Sequence, residues 1–486
     1  MRQWISRSLL IGGVFLLVWL AVIYSWRTSN RLPSNIEVGA YFLGFPLLVL
    51  GTLWLGRKVV QTSGAGAVSQ AKSETTQSVN EASLINASSS ESITQEFVVF
   101  ASSVKTCQGM TGAEVLEKLK SGEARLELDE SLVDEDGFPI PSGRITSVTI
   151  DEANDEFLTW QRTGKKPEIL WLTEDLRAIS LGGESLREML DAAHECVANS
   201  LDSSSASMPV NQGNSQASSA SSLDPIVLEI FLRVPERWST LQSIACSEWY
   251  RKIALDSTWS SENLRIQILK KGHVQPQFEF LSNQFIEQQN LQKNSAILVL
   301  AFDSMIGDES VDSMQRTGVL VHGKNPNGKV PSEGAAALLV MKKLDALSLG
   351  LKAEAYVSGV AQKRREQSIT QDRNGKDGAL RELILHTMSA LSVPNEAIQS
   401  VISDTGNQIN QTLELAALGT NLFPELDLTT DFSKLTEACG DLGGVASLAT
   451  VALGFEQARN GASCVLCASN LDEYQRSIVF VFPMPA

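Results

Sequence analysis

The chain has 486 residues, with 40 basic and 56 acidic side chains and a net charge of −16. Nucleic-acid binders carry a basic footprint, so this balance argues against DNA or RNA as a partner. Six cysteines in so long a chain do not make a disulfide framework, which agrees with a reducing compartment.

The first sixty residues stand apart. They hold six basic residues (Arg2, Arg7, Arg27, Arg31, Arg57, Lys58) and one acid, Glu37, so the remainder is more acidic still. Residues 9–26 and 38–56 are uncharged apolar runs, and roughly 20 such residues span a bilayer. Trp4, Tyr24, Trp26, Tyr41 and Trp54 lie near the run edges, as an aromatic belt would, while Trp19 sits deeper. No small-residue cleavage site follows the first run and a second run comes at once, so the reading is a transmembrane hairpin over 1–60 rather than a signal peptide. Basic residues at its outer ends favour a cytoplasmic C-terminal body at the inner (cytoplasmic) membrane; Arg27 and Arg31 in the connecting loop oppose this.

Residues 61–94 are rich in Ser, Ala, Thr and Gln and read as a disordered tether. The body is expected over 95–486. A strand is predicted over 96–104, then a glycine-containing turn, then a helix carrying Val115, Leu116 and Leu119 on one side. Residues 129–150, punctuated by Gly137, Pro139 and Pro141, predict turns and short strands. A helix follows over 184–197. Residues 199–223, dominated by Ser and Ala, predict a disordered insert inside the domain. A strand over 225–234, a helix over 238–253 and helical composition over 278–289 come next. Residues 296–302 and 338–341 are short, wholly apolar runs that suit strands buried on both faces. A helix over 379–391, a strand over 401–404, a helix beginning at 413–418, an apolar helix over 445–458 and strands over 462–468 and 477–482 complete the pattern. Strands alternating with helices predict an α/β body.

The stretch 296–343 resembles the thiolase-like β-ketoacyl synthases. There a strand ends in a Gly-Gly-Val-Asp-like turn, and a Gly-Glu-Gly-Ala-Gly motif enters the next strand. Here Asp303 ends the first run, and Ser332-Glu333-Gly334-Ala335-Ala336 keeps the glutamate and the small residues. The opening of the body, strand then glycine turn then helix, also resembles a condensing enzyme. The resemblance covers about residues 96–484 and implies a layered thiolase-like fold with mixed sheets and helices. It also implies homodimers, by analogy with that family.

The family's chemistry needs a cysteine thiolate to carry the acyl group, and imidazoles and backbone N–H groups to stabilise the developing oxyanion. Counting back from Asp303 to the place of the nucleophile reaches Lys271-Gly272-His273-Val274, with no cysteine. The first histidine motif corresponds to Ser403-Asp404-Thr405-Gly406-Asn407, with Asn410 and Glu414 after it, so Ser403 stands at the imidazole. The second corresponds to Gly440-Asp441-Leu442-Gly443-Gly444, so Asp441 stands there. A serine hydroxyl is not an imidazole acid or base, and a carboxylate anion cannot donate to an oxyanion. His273, Ser403, Asp404 and Asp441 are therefore expected to line a vestigial cleft, with no catalytic set and no cofactor.

Other candidates carry less. Cys246 reads as a buried helix residue. Cys464 and Cys467 form a Cys-x-x-Cys on a strand, where residues three apart face opposite ways, so no metal is expected there. His194, His273, His322 and His386 show no zinc-binding spacing, and there is no Walker loop or nucleophile elbow. The two-span anchor joined to such a body also resembles accessory proteins encoded beside type VI secretion effectors. That resemblance implies a membrane-anchored adaptor for a secreted effector such as a lipase. The alternative expectation is an enzyme of lipid metabolism: a divergent acyltransferase, or a hydrolase that pairs Asp404 with Asp441.

Overall fold

The structure, a computed structural model, describes residues 95–148, 151–164, 169–206, 226–257, 259–269, 278, 281, 294–372, 378–461 and 464–485. The expected transmembrane hairpin, the tether, His273 and nearly all of the helical stretch at 278–289 lie outside the described residues. Among the described residues no helix is long and apolar enough to cross a membrane.

In chain order the body runs β1 (Phe97–Lys105), α1 (Gly112–Ser121), a β2–β3 hairpin (Glu127–Val133, Pro139–Ser142), α2 (Asp151–Thr163), α3 (Thr173–Ala206) and β4 (Val227–Arg233). It continues through α4 (Thr240–Asp256), β5 (Leu264–Ile268), β6 (Ser295–Ser304), α5 (Asp308–Arg316), β7 (Glu333–Lys342) and α6 (Lys343–Ser348). The remainder is β8 (Ala355–Arg364), α7 (Ala379–Leu391), β9 (Ser400–Ser403), α8 (Ile409–Asn421), β10 (Phe432–Lys434), α9 (Leu435–Cys439), α10 (Ala446–Arg459), β11 (Val465–Ser469) and β12 (Gln475–Pro483).

Local chemistry accounts for many of these bounds. Thr111 caps α1 in a reciprocal box with Glu114, and Gly122 ends that helix in the left-handed region at φ 70°. Ser239 and Gln242 cap α4 in the same way. The apolar helix α10 is buried on nearly every face, which is why it lacks a polar stripe. Helix α3 is far longer than the 184–197 periodicity predicts: its first turns combine the ion-paired Glu174, Asp175 and Arg177 with the buried Ala178, Ile179 and Leu181. It also continues to Ala206, eight residues into the stretch expected to be a disordered insert; the rest of that insert lies outside the described residues.

Among the described residues ten strands form one sheet in the order β10-β9-β11-β12-β8-β1-β7-β6-β4-β5. This order is a duplication. In the first half β4 lies between β5 and β6 in parallel, and β7 is antiparallel to both β6 and β1. In the second half β9 lies between β10 and β11 in parallel, and β12 is antiparallel to both β11 and β8. Numbering the strands of each half one to five, both run three-two-four-five-one. The two first strands, β1 and β8, meet antiparallel, Phe97 opposite Val357.

Strand alternation sorts the side chains into layers. Ile297, Val299 and Ala301 of β6 join a central core with α10, Val465, Cys467 and Val479, so α10 packs between strands of both halves. Leu298, Leu300 and Phe302 face the other way, against α3 and α4. The second half has its own outer core, in which Leu380 and Ile384 of α7 and Leu415 of α8 cover Leu466 and Ile478. Outer helices, the strands of the first half, the central helix α10, the strands of the second half and outer helices are thus stacked in turn.

Candidate functional site

Parallel strands present their carboxyl ends together, and open α/β sheets bind ligands there. Here β4 ends at Arg233, β6 at Asp303 and Ser304, and β11 leads into Leu471 and Asp472. These ends, the Gly443-Gly444 turn before α10 and helix α5 surround a cleft of about 640 Å³. Asp441, Lys329, Arg237 and Gln408 also line it.

Arg237 organises one wall. Its guanidinium lies 2.6 Å from Asp303, 3.0 Å from Asp175 and 3.2 Å from Glu174. Asp175 also accepts from the Trp238 indole at 2.6 Å, and Glu174 from the Ser310 hydroxyl at 2.9 Å. Burial pulls the Arg237 guanidinium down, but the three carboxylates outweigh it and hold the cation above its ordinary pKa. Burial raises Asp303 and Glu174, and Arg237 offsets part of each rise. Arg233 sits against Gly444 and donates weakly to Ser447 at 3.5 Å; burial lowers its pKa.

The expected site residues fall in different places. Asp441 reaches the cleft wall, paired with Lys329 at 2.7 Å and accepting from the Gly443 N–H at 3.0 Å. Ser403 ends β9 fully buried, with its hydroxyl 2.7 Å from that of Thr405 and 3.5 Å from Asn470 Oδ1. Asp404 is buried too, accepting from Ser469 Oγ at 2.5 Å and from the N–H groups of Asn470 and Leu471. Burial pushes it up to about 6 against those hydrogen bonds. Among the described residues, Ser403 and Asp404 tie β9 to the end of β11 rather than forming the cleft wall.

Glu333, the glutamate of the resemblance, is a structural hub. It receives Arg177 of α3 through two guanidinium nitrogens, the Ile145 N–H at 2.8 Å and the Ser304 hydroxyl at 2.9 Å. Glu414 plays the same part in the second half. It pairs with Arg365 at 2.7 Å and Arg476 at 2.9 Å, and Asn470 donates to it.

Cys246 is buried in α4, and burial raises its thiol. Cys464 and Cys467 enter opposite cores. His194 meets the Ser257 carbonyl and His386 is exposed on α7. Among the described residues no group of three metal-ligating side chains converges. Sequence reading missed Arg237 and its three acids, because they come from α3, β6 and the loop after β4. It also missed the meeting of Cys107 with Cys439, more than three hundred residues apart. The legible trace of the first was the acid closing an apolar run at Asp303; the second left none.

No protein-family profile matches the chain, and no curated protein matches it. Solved structures do. The ishigamide ketosynthase/chain length factor is 13% identical, with a TM-score of 0.51 over 81% of this chain and 100% of that one. A type II polyketide ketosynthase, solved with its acyl-carrier protein and bound to a hexaketide, is 10% identical, with a TM-score of 0.53 over 80% and 100%. The ketosynthase from module 6 of the bacillaene synthase of Bacillus subtilis is 11% identical, with a TM-score of 0.50 over 80% and 72%. The body therefore has the thiolase-like ketosynthase fold.

Proposed function

We propose that this chain is a non-catalytic thiolase-like protein, held at a membrane by its N-terminus and acting as an adaptor or scaffold. One observation carries the reading. At the two positions where the ketosynthase resemblance places imidazoles stand Ser403 and Asp441, and both are spent on internal bonds, to Thr405 and Asn470 and to Lys329. The sequence also has no cysteine between Cys246 and Cys439, the span that includes the nucleophile's place. Of the expected remnants, Asp441 lies on the cleft wall, while Ser403 and Asp404 have become internal ties of the second half.

The finer reading is recruitment of a type VI secretion effector, such as a lipase, to the secretion machinery. Its support is the paired apolar runs on a polar tether and the acidic body, which suits a basic partner surface. A second reading keeps an enzyme of lipid metabolism, an acyltransferase or hydrolase, and rests on Asp404. Its pKa of about 6 suits proton transfer near neutrality, but its carboxylate is enclosed by Ser469, Asn470 and Leu471.

The test is purification of the tagged full-length chain from native membranes in mild detergent, followed by mass spectrometry. A stoichiometric effector or secretion component supports the adaptor. Acyl-carrier protein, or an acyl adduct on a cysteine, overturns it in favour of the enzyme.

A further inference from the structure

Cys107 follows β1 in the first half, and Cys439 ends α9 in the second. Cys107 Sγ lies 3.7 Å from the Cys439 carbonyl oxygen, and both side chains pack into the same core. Gln108 clamps the two segments together. Its side-chain amide donates to Cys107 Sγ at 3.5 Å, to the Ala438 carbonyl at 2.8 Å and to the Arg125 carbonyl at 3.0 Å. Cys107 is half-buried, so a small molecule can reach it, whereas Cys439 is fully enclosed.

The two thiols are unequal. The neighbouring Cys439 lowers Cys107, burial raises it, and Gln108, a backbone N–H and the Lys118 charge lower it further, so the net direction is down. Cys439 is pushed well up, first by the neighbouring Cys107 and then by burial. A low-pKa, reachable cysteine beside a second thiol is the arrangement that reacts with oxidants and then resolves to a disulfide.

We propose that Cys107 and Cys439 form a peroxide-sensitive pair, Cys107 the attacking sulfur and Cys439 the resolving one, whose disulfide joins the two halves of the fold. The Cys107 thiolate attacks one oxygen of hydrogen peroxide. The O–O bond breaks, hydroxide leaves and takes a proton as water, and Cys107 becomes a sulfenic acid. Cys439 then gives up its proton, its sulfur attacks the Cys107 sulfur, and the hydroxyl departs as water. Two thiols and one peroxide yield one disulfide and two waters.

The bond would fix a sensitive point. The Cys439 carbonyl accepts from Ser332 Oγ at 2.5 Å, Gly440 follows at φ 82°, and Asp441 of the cleft wall comes next. Oxidation would thus be felt at the cleft wall through Asp441.

Cys196 provides an internal control. It is also half-buried, but burial and Glu195 push its thiol up to about 11. The full-length chain in detergent is treated with hydrogen peroxide at pH 7, the remaining thiols are alkylated, and the digest is read by mass spectrometry. The expected result is a cross-linked peptide pair joining Cys107 to Cys439, with the other four cysteines alkylated. Before oxidation, Cys107 should alkylate on the order of tenfold or more faster than Cys196. In Cys439→Ser, Cys107 should instead be trapped as a sulfenic acid by a cyclic diketone probe. Cys107→Ser should give neither product, which keeps the test valid if the Cys439 variant fails to fold. Equal alkylation of Cys107 and Cys196, or Cys107 passing to sulfinic acid with no cross-link, overturns the proposal.

Discussion

Arg177 and Glu333 form a buried, two-pronged ion pair that joins helix α3 to the start of β7. The remaining capacity of both groups is filled. Arg177 donates to the carbonyls of Val148 and Ile145 at 3.1 and 2.9 Å, and Glu333 accepts from Ile145 and Ser304. Removing one partner strands a charge away from water. Glu333→Ala should therefore destabilise the fold by about 3–5 kcal/mol in urea unfolding. A paired Arg177→Met, Glu333→Leu change should recover part of that loss, since no charge is left alone although the Ile145, Val148 and Ser304 groups lose their partners. Equal losses in the single and double variants would show that the pair is not the source.

Asp404 predicts a pH dependence with a definite sign. Its folded pKa of about 6 lies above the ordinary aspartate value of 3.8, with burial the main cause. Between those values the folded state binds more protons than the unfolded one, so this group's contribution to stability falls as pH rises through the window. The full effect is at most about 3 kcal/mol, from a shift of roughly 2 units. Asp404→Asn keeps the shape, and the Ser469 hydroxyl can rotate to accept from the new amide. That variant should match or exceed wild type at pH 8 and lose the slope between pH 4 and 6. Denaturant midpoints across that range give the answer.

Gly454 lies inside α10, where alanine would ordinarily favour the helix. Here an added Cβ would come within 2.4 Å of Cys467 Sγ and 3.1 Å of Val481 Cγ2. Gly454→Ala should lower stability by about 1–3 kcal/mol through overpacking. Adding Cys467→Ala should restore part of it, because the sulfur is the nearest obstacle. A double-mutant cycle by thermal unfolding measures the coupling.

The catalytic prediction concerns Ser403 and Asp441. Replacing both with histidine returns imidazoles to the positions named by the resemblance without supplying a thiol. Decarboxylation of a malonyl thioester should stay at the buffer rate in wild type and in the Ser403→His, Asp441→His double variant. A rise above background in wild type would contradict the non-catalytic proposal.

Much of the body was legible because its elements announce themselves locally. The 296–302 run emerged as β6, and α7 occupies the residues its pattern predicts. The start of α8 at Ile409 was hidden because its first turn is polar and exposed on one side. The substituted imidazole positions could be read as identities, but what holds them could not. Asn470, Thr405 and Lys329 become partners only when strands distant in sequence are laid side by side.

The sequence by itself determined the two apolar runs, the acidic balance, the alternation of strands and helices, and the absence of a cysteine where an acyl carrier would stand. These depend on composition and short-range periodicity. Tertiary structure alone decided the mirrored strand order, the Arg237 cluster and the contact between Cys107 and Cys439. The physical reason is common to all three. Strand pairing and charge pairing join segments far apart in the chain, and no local pattern records which distant residue will neutralise a buried charge or meet a buried thiol.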